Sequence, residues 1–215
     1  MNKKSRKYII FAACCLMAFV SWTIAVCFVD VRAIGPRNSK VGFAGLNGAF
    51  HMLTGVHMTL YHITDWLGLV PIAVAIGFAI LGLVQWIQRK KLFKVDFSIL
   101  VLGVFYVVTM AAYVLFEYVV INRRPVLIDG FLEASYPSST TMLALCVMPT
   151  AMMQLHDRIK KKFLRNIILT IISAFTAFMV IGRLISGVHW LTDIVGGVLL
   201  SVGLVLTYKA ICKRQ

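Results

Sequence analysis

The chain has 215 residues, is 60% hydrophobic and 14% charged, and has a mean hydropathy of +0.87. That composition excludes an ordinary soluble domain and points to one polytopic membrane domain covering residues 1–215. The formal net charge of +14 comes in short basic clusters between apolar runs, which is topology information and not the footprint of a nucleic-acid binder.

A basic head, Lys3, Lys4, Arg6 and Lys7, precedes an apolar run over about 8–29. The run is too long for a signal peptide and matches one bilayer crossing, so it reads as a retained first span. From Asp30 to about Asp65 the chain is more polar. Leu46, Phe50, Leu53, Val56 and Leu60 recur there at steps of three or four, which predicts an amphipathic helix lying at the interface over the outer mouth of the bundle. His51, His57 and His62 belong to this stretch, as interfacial polar residues first and otherwise as ligands or proton carriers.

Further spans are predicted over about 66–86, 97–120, 139–155, 166–185 and 190–211. The expectation is an all-α membrane protein, a bundle of six transmembrane helices. Cys14, Cys15, Cys27, Cys146 and Cys212 fall within or at the ends of these apolar segments, so neither a disulfide framework nor a metal site is expected.

The basic residues set the orientation. With the N-terminus inside, the clusters Arg89 to Lys94, Arg158 to Arg165 and Lys209 to Arg214 join the basic head on the cytoplasmic side. Outside, Arg32, Arg37, Lys40, Arg123, Arg124 and Arg183 are balanced by Asp30, Asp65, Glu117, Asp129, Glu133 and Asp193, so the whole charge of +14 is cytoplasmic. Both termini are then cytoplasmic, and the basic surface faces acidic lipid headgroups.

On the outer side lie three stretches that carry chemistry. Gly182 to Asp193 reads GRLISGVHWLTD; His189 and Asp193 are four apart, which on a helix lets the carboxylate accept a ring N–H and leaves the other nitrogen free. Arg183 adds a fork of donors suited to phosphate oxygens. Arg123 and Arg124 precede Pro125. Pro137 is followed by Ser138, Ser139 and Thr140, which reads as a helix N-terminus whose free N–H groups and hydroxyls cradle an anion. Arginines, a helix start and an oriented imidazole on one face describe a phosphate site with a nucleophile.

Arg124-Pro125, Pro137-Ser138-Ser139, and Arg183 with His189 and Asp193 resemble the three signature boxes of the membrane branch of the type 2 phosphatidic acid phosphatase and haloperoxidase superfamily. The resemblance implies a six-helix bundle in which His189 attacks the phosphorus of a lipid phosphate to form a phosphohistidine. Asp193 would orient and charge-stabilise the ring. Arg124, Arg183, Ser138 and backbone N–H groups around Ser139 would hold the oxygens, and the implied chemistry needs neither cofactor nor metal. The implied partners are a lipid phosphate or diphosphate and the phospholipid bilayer of a plasma membrane, bacterial in kind, with the site extracytoplasmic.

Two positions depart from the family pattern. Glu117 stands where the first box usually opens with Lys, with Arg123 or Lys40 as substitutes for the missing charge. Thr140 stands where the second box has the His that protonates the leaving oxygen, and a threonine hydroxyl is no acid near neutral pH. A leaving group that is itself a phosphate, as in a polyprenyl diphosphate, needs less help. The alternatives are a catalytically degenerate protein that binds lipid phosphates and a phosphotransferase that passes phosphate to another acceptor.

Overall fold

The computed structural model describes residues 3–213, so Arg214, one of the basic residues assigned to the cytoplasmic side, lies outside the described residues. In chain order the elements are α1 (Lys3–Phe28), a ladder of β1 (Arg32–Ala33) with β2 (Lys40–Val41), α2 (Ala44–Thr54), α3 (Met58–Leu67), α4 (Leu69–Arg89), α5 (Phe97–Tyr118), α6 (Ser139–Arg158), α7 (Lys162–Ile185) and α8 (Leu191–Cys212). The small antiparallel ladder pairs Arg32 with Val41 and is an exception to a purely helical chain.

Among the described residues, five helical stretches are long and apolar enough to cross a membrane: Lys3–Phe28, Met58–Arg89, Phe97–Tyr118, Lys162–Ile185 and Leu191–Cys212. The protein is therefore an integral membrane protein. The sixth expected span is helical, as α6, but does not meet that criterion. Its surroundings explain why. Thr140, Thr141, Thr150 and Gln154 of α6 are all buried, and the helix packs against α4, α5, α7 and α8. A helix walled by protein can carry polar side chains that a lipid-facing helix cannot.

The stretch expected to form one interfacial helix is two. Gly55, at φ +68, breaks it between α2 and α3, a conformation that costs glycine little. α3 then runs almost directly into α4 through Gly68, whose backbone is helical.

α1 lies antiparallel along α8. Ser5 Oγ donates to the Ala210 carbonyl at 2.9 Å near one end, and Trp22 Nε1 donates to the Thr192 carbonyl at 3.1 Å near the other. In lipid such contacts and close packing, not water exclusion, hold helices together. Beside the start of α8 the core gathers aromatic rings: Tyr136 stacks on Phe19 at 6.3 Å and meets Phe116 edge-on at 6.0 Å. Gly196 of α8 gives Tyr136 its room, since a Cβ there would stand 2.6 Å from the ring.

Candidate functional site

The loop between α7 and α8 carries His189 and is fixed from several directions. Gly187, at φ +70, lets the loop touch the α2–α3 break; a Cβ there would lie 2.0 Å from the Gly55 carbonyl oxygen. His57 N donates to the Ser186 carbonyl at 2.9 Å. His51 Nε2 lies 3.1 Å from the Gly187 carbonyl, and its ring tilts against Trp190 at 5.5 Å. Asn47 of α2 receives the Thr192 N–H on its Oδ1 at 3.2 Å and donates Nδ2 to Thr192 Oγ1 at 2.9 Å, which satisfies free groups at the start of α8. The α2–α3 segment is thus a scaffold for the loop. His51 and His57 bond to backbone carbonyls and His62 is exposed against Tyr61; none of the three shows a bond to His189 or Thr140.

His189 is 3% exposed. The expected direct bond from its ring to Asp193 is absent: Nδ1 stands 4.0 Å from Asp193 Oδ2. Ser135 sits between them. Its Oγ donates to Asp193 Oδ2 at 2.5 Å and lies 3.0 Å from His189 Nδ1, so the oxygen is left to accept the Nδ1–H. The loop before α8 is not helical, and the four-residue spacing brings the pair near each other without closing the bond. Asp193 is held further by the Trp190 N–H at 2.9 Å and by Asn122 Nδ2 at 3.1 Å.

This network fixes the imidazole with its proton on Nδ1 and its lone pair on Nε2. That nitrogen is buried and has no hydrogen-bond partner. Burial first, and then the positive charges of Arg124 and Arg183, hold the His189 pKa well below its ordinary range, so the ring is neutral at physiological pH. A small cleft at the ring is lined also by Glu117, Tyr113, Ser139 and Met142.

Arg183 is 1% exposed. Its Nη2 donates to Asp65 Oδ1 at 2.8 Å and to Thr140 Oγ1 at 2.7 Å, while Nη1 reaches the Tyr61 carbonyl and Thr64 Oγ1, each at 3.4 Å. Thr140 therefore serves as an acceptor for the guanidinium. Arg124 is also buried, with Nε 3.0 Å from Glu133 Oε2. Both guanidiniums lie over the Tyr61 ring, at 4.8 Å for Arg183 and 5.8 Å for Arg124. Arg124 Nη1, Arg183 Nε and the Ser138 and Thr141 hydroxyls are buried without partners. Buried donors left unpaired are costly, and two of these belong to the guanidiniums whose charge acts on the His189 ring.

The structure thus gathers His189, Asp193, Arg124, Arg183, Ser138, Ser139 and Thr140. It does not bring Arg123 to them: that side chain is exposed and donates Nη1 to the Leu132 carbonyl at 2.8 Å. Lys40 is exposed on β2. Ser135, Asn122, Asp65 and Glu133 are participants that sequence reasoning missed. Ser135 stands two residues before Pro137, and nothing in its spacing marks it out.

The profile of the PAP2 superfamily matches residues 72–215. The chain belongs to that superfamily. No curated protein matches it significantly. Among solved structures, the crystal structure of the first transmembrane PAP2-type phosphatidylglycerolphosphate phosphatase from Bacillus subtilis is similar, with 22% identity and a TM-score of 0.53, covering 93% of this chain and 94% of that one. At that identity the likeness bears on the fold.

Proposed function

We propose that this PAP2-superfamily protein is a lipid phosphatase that works through a phosphohistidine at His189. The observation that carries the reading is the His189 ring: neutral, with one nitrogen fixed through Ser135 to Asp193 and the other free among two buried arginines. Nε2 attacks phosphorus and forms the N–P bond as the bond to the leaving oxygen breaks. Arg124, Arg183, the Ser138 hydroxyl and the N–H groups at the start of α6 hold the phosphoryl oxygens, and Asp193, through Ser135, stabilises the charged ring. Water then takes the phosphoryl group and frees the histidine. The positive charge comes from the guanidiniums, which the phosphate shares with Asp65 and Glu133.

The substrate we favour is a polyprenyl diphosphate. Thr140 is engaged by Arg183 and offers no acid at the position from which a leaving oxygen would be protonated. A phosphate leaving group departs without that help; an alkoxide does not. The site opens away from the cytoplasm in this reading. The support is the clustering of Arg89 to Lys94, Arg158 to Arg165 and Lys209 at the helix ends remote from His189. The whole chain then acts as one unit, with α6 as a sixth crossing and both termini cytoplasmic.

The test is phosphate release by purified protein from lipid mono- and diphosphates, with acid-labile, base-stable phosphorylation of His189 trapped by rapid quench. Release from the diphosphate at ten or more times the rate from phosphatidic acid is expected. Binding without release or trapping would instead favour a protein that only holds lipid phosphates, the reading to which Thr140 lends weight.

A further inference from the structure

The cleft that touches the His189 ring has two further walls. One is the end of α5, with Tyr113, Phe116 and Glu117; the other is the chain entering α6, with Ser135 and Ser139. Tyr113 and Glu117 are four residues apart and so share one face of α5.

Glu117 is costly where it stands. It lies in the last turn of a membrane-spanning helix, at the end whose dipole opposes a negative charge. Among the described residues no hydrogen bond or ion pair offsets that cost, and the residue is exposed.

The other groups that could move a proton near the ring are already engaged. Asp65 holds Arg183 at 2.8 Å, Glu133 holds Arg124 at 3.0 Å, and Asp193 Oδ2 accepts from Ser135 Oγ at 2.5 Å. Thr140 accepts from Arg183, and the rings of His51 and His57 are turned to backbone carbonyls. Of the carboxylates among the described residues, Glu117 alone both lines the cleft and has no partner.

A free carboxylate matters most after His189 has been phosphorylated. The phosphoryl group on Nε2 is released by a nucleophile that enters in line with the N–P bond, on the side away from the ring. Water serves poorly there until a base takes its proton.

We propose that Glu117 is the general base of phosphohistidine hydrolysis. Its carboxylate accepts a proton from the attacking water as the new O–P bond forms and the N–P electron pair returns to Nε2. The products are inorganic phosphate, a neutral His189 and a protonated Glu117, which passes its proton to solvent. Arg124 and Arg183 offset the repulsion between the carboxylate and the phosphoryl oxygens, and that repulsion falls as the proton moves onto the carboxylate. The inference rests on the reading of His189 as the nucleophile and adds the group that completes the cycle.

Rapid-quench measurements that separate labelling of His189 from its discharge test it. The probes are a polyprenyl diphosphate labelled in its terminal phosphate and, in parallel, labelled phosphatidic acid. Glu117→Gln keeps the shape of the side chain and breaks no bond, so its unfolding temperature should match that of the parent. His189 should be labelled at the parent's rate within about twofold, while discharge slows about 100-fold or more and the label accumulates. Glu117→Asp, which keeps a carboxylate, should recover at least about a tenth of the parent's discharge rate. Glu117→Lys adds a charge that could hold phosphate but supplies no carboxylate, and it should accumulate label as Glu117→Gln does. Discharge from Glu117→Gln within about threefold of the parent would overturn the proposal and leave His189 as the nucleophile. Labelling slowed as much as discharge would overturn it too, by giving Glu117 a part in holding substrate. No label on His189 in parent or variants with either probe would remove the phosphatase reading itself, and the general base with it.

Discussion

Two charged clusters tie helices together at opposite ends of the bundle, and they differ in what they leave unpaired. At the end remote from His189, Asp96 accepts from Gln85 at 2.9 Å, from Arg89 at 2.8 Å and from Arg158 at 3.2 Å, and its own N–H donates to Gln85 Oε1 at 2.9 Å. Arg158 also donates to Gln154, which donates to Tyr208. The Arg89 and Gln85 bonds hold the Asp96 carboxyl below the usual carboxylate range. None of these side chains leaves a buried polar atom without a partner. At the His189 end, by contrast, a ring nitrogen, guanidinium nitrogens and two hydroxyls at the start of α6 are buried and unpaired. A saturated cluster holds helices in place; an unsaturated one keeps its hydrogen-bonding capacity for something else.

The comparison breaks first at His189. His189→Ala should lower phosphate release on the order of 10⁴-fold or more while the variant still folds in detergent, at a somewhat lower unfolding temperature because the buried ring and its Nδ1 bond to Ser135 are lost with the unpartnered Nε2. Retention of more than a tenth of the rate would make the two clusters alike in kind. Next come the guanidiniums: Arg183→Lys keeps the charge but loses the fork that spans Asp65 and Thr140, and should cost about 10²–10³-fold in kcat.

Ser135→Ala should cost less, about 10–100-fold in kcat, by freeing the imidazole from Asp193. The pH profile sharpens this prediction. As the proposed nucleophile His189 must be neutral, and its pKa is depressed by burial and two arginines, so activity should persist below the ordinary histidine value of about 6.5 and fall only as pH drops through the depressed one. An acid limb centred above pH 6.5 would mean that the ring is not in this environment.

Much of this site was legible in the chain because Arg183, His189 and Asp193 lie within one short stretch, where spacing alone sets their proximity. Ser135, Asn122, Asp65 and Glu133 were not, because their roles arise when distant segments meet. The loop between α5 and α6 folds back on itself, with Ser135 N donating to the Asn122 carbonyl at 2.9 Å and Arg124 N to that of Glu133 at 3.1 Å, and only then do Ser135 and Glu133 face the site. The fold divides the same way. Apolar runs located α1, α4, α5, α7 and α8, since lipid demands apolar surface along a whole span. The burial of α6 depends on its neighbours, and the break at Gly55 accompanies the packing of Gly187 against that residue's carbonyl.

The smallest effect is expected at the saturated end. Asp96→Asn keeps the shape of the side chain but replaces a carboxylate that serves Gln85, Arg89 and Arg158 by an amide with one acceptor oxygen. The Asp96 side chain is 38% exposed, so water and salt screen these pairs and the loss should be about 1 kcal/mol of stability, read as a lowered unfolding temperature. Phosphate release at a temperature where the variant is folded should match the parent, since the cluster joins α4, α5 and α6 far from the ring nitrogen. A fall in kcat larger than about threefold with unchanged unfolding would show that the two ends are coupled, and that the remote cluster sets the geometry at His189 as well as the packing of the helices.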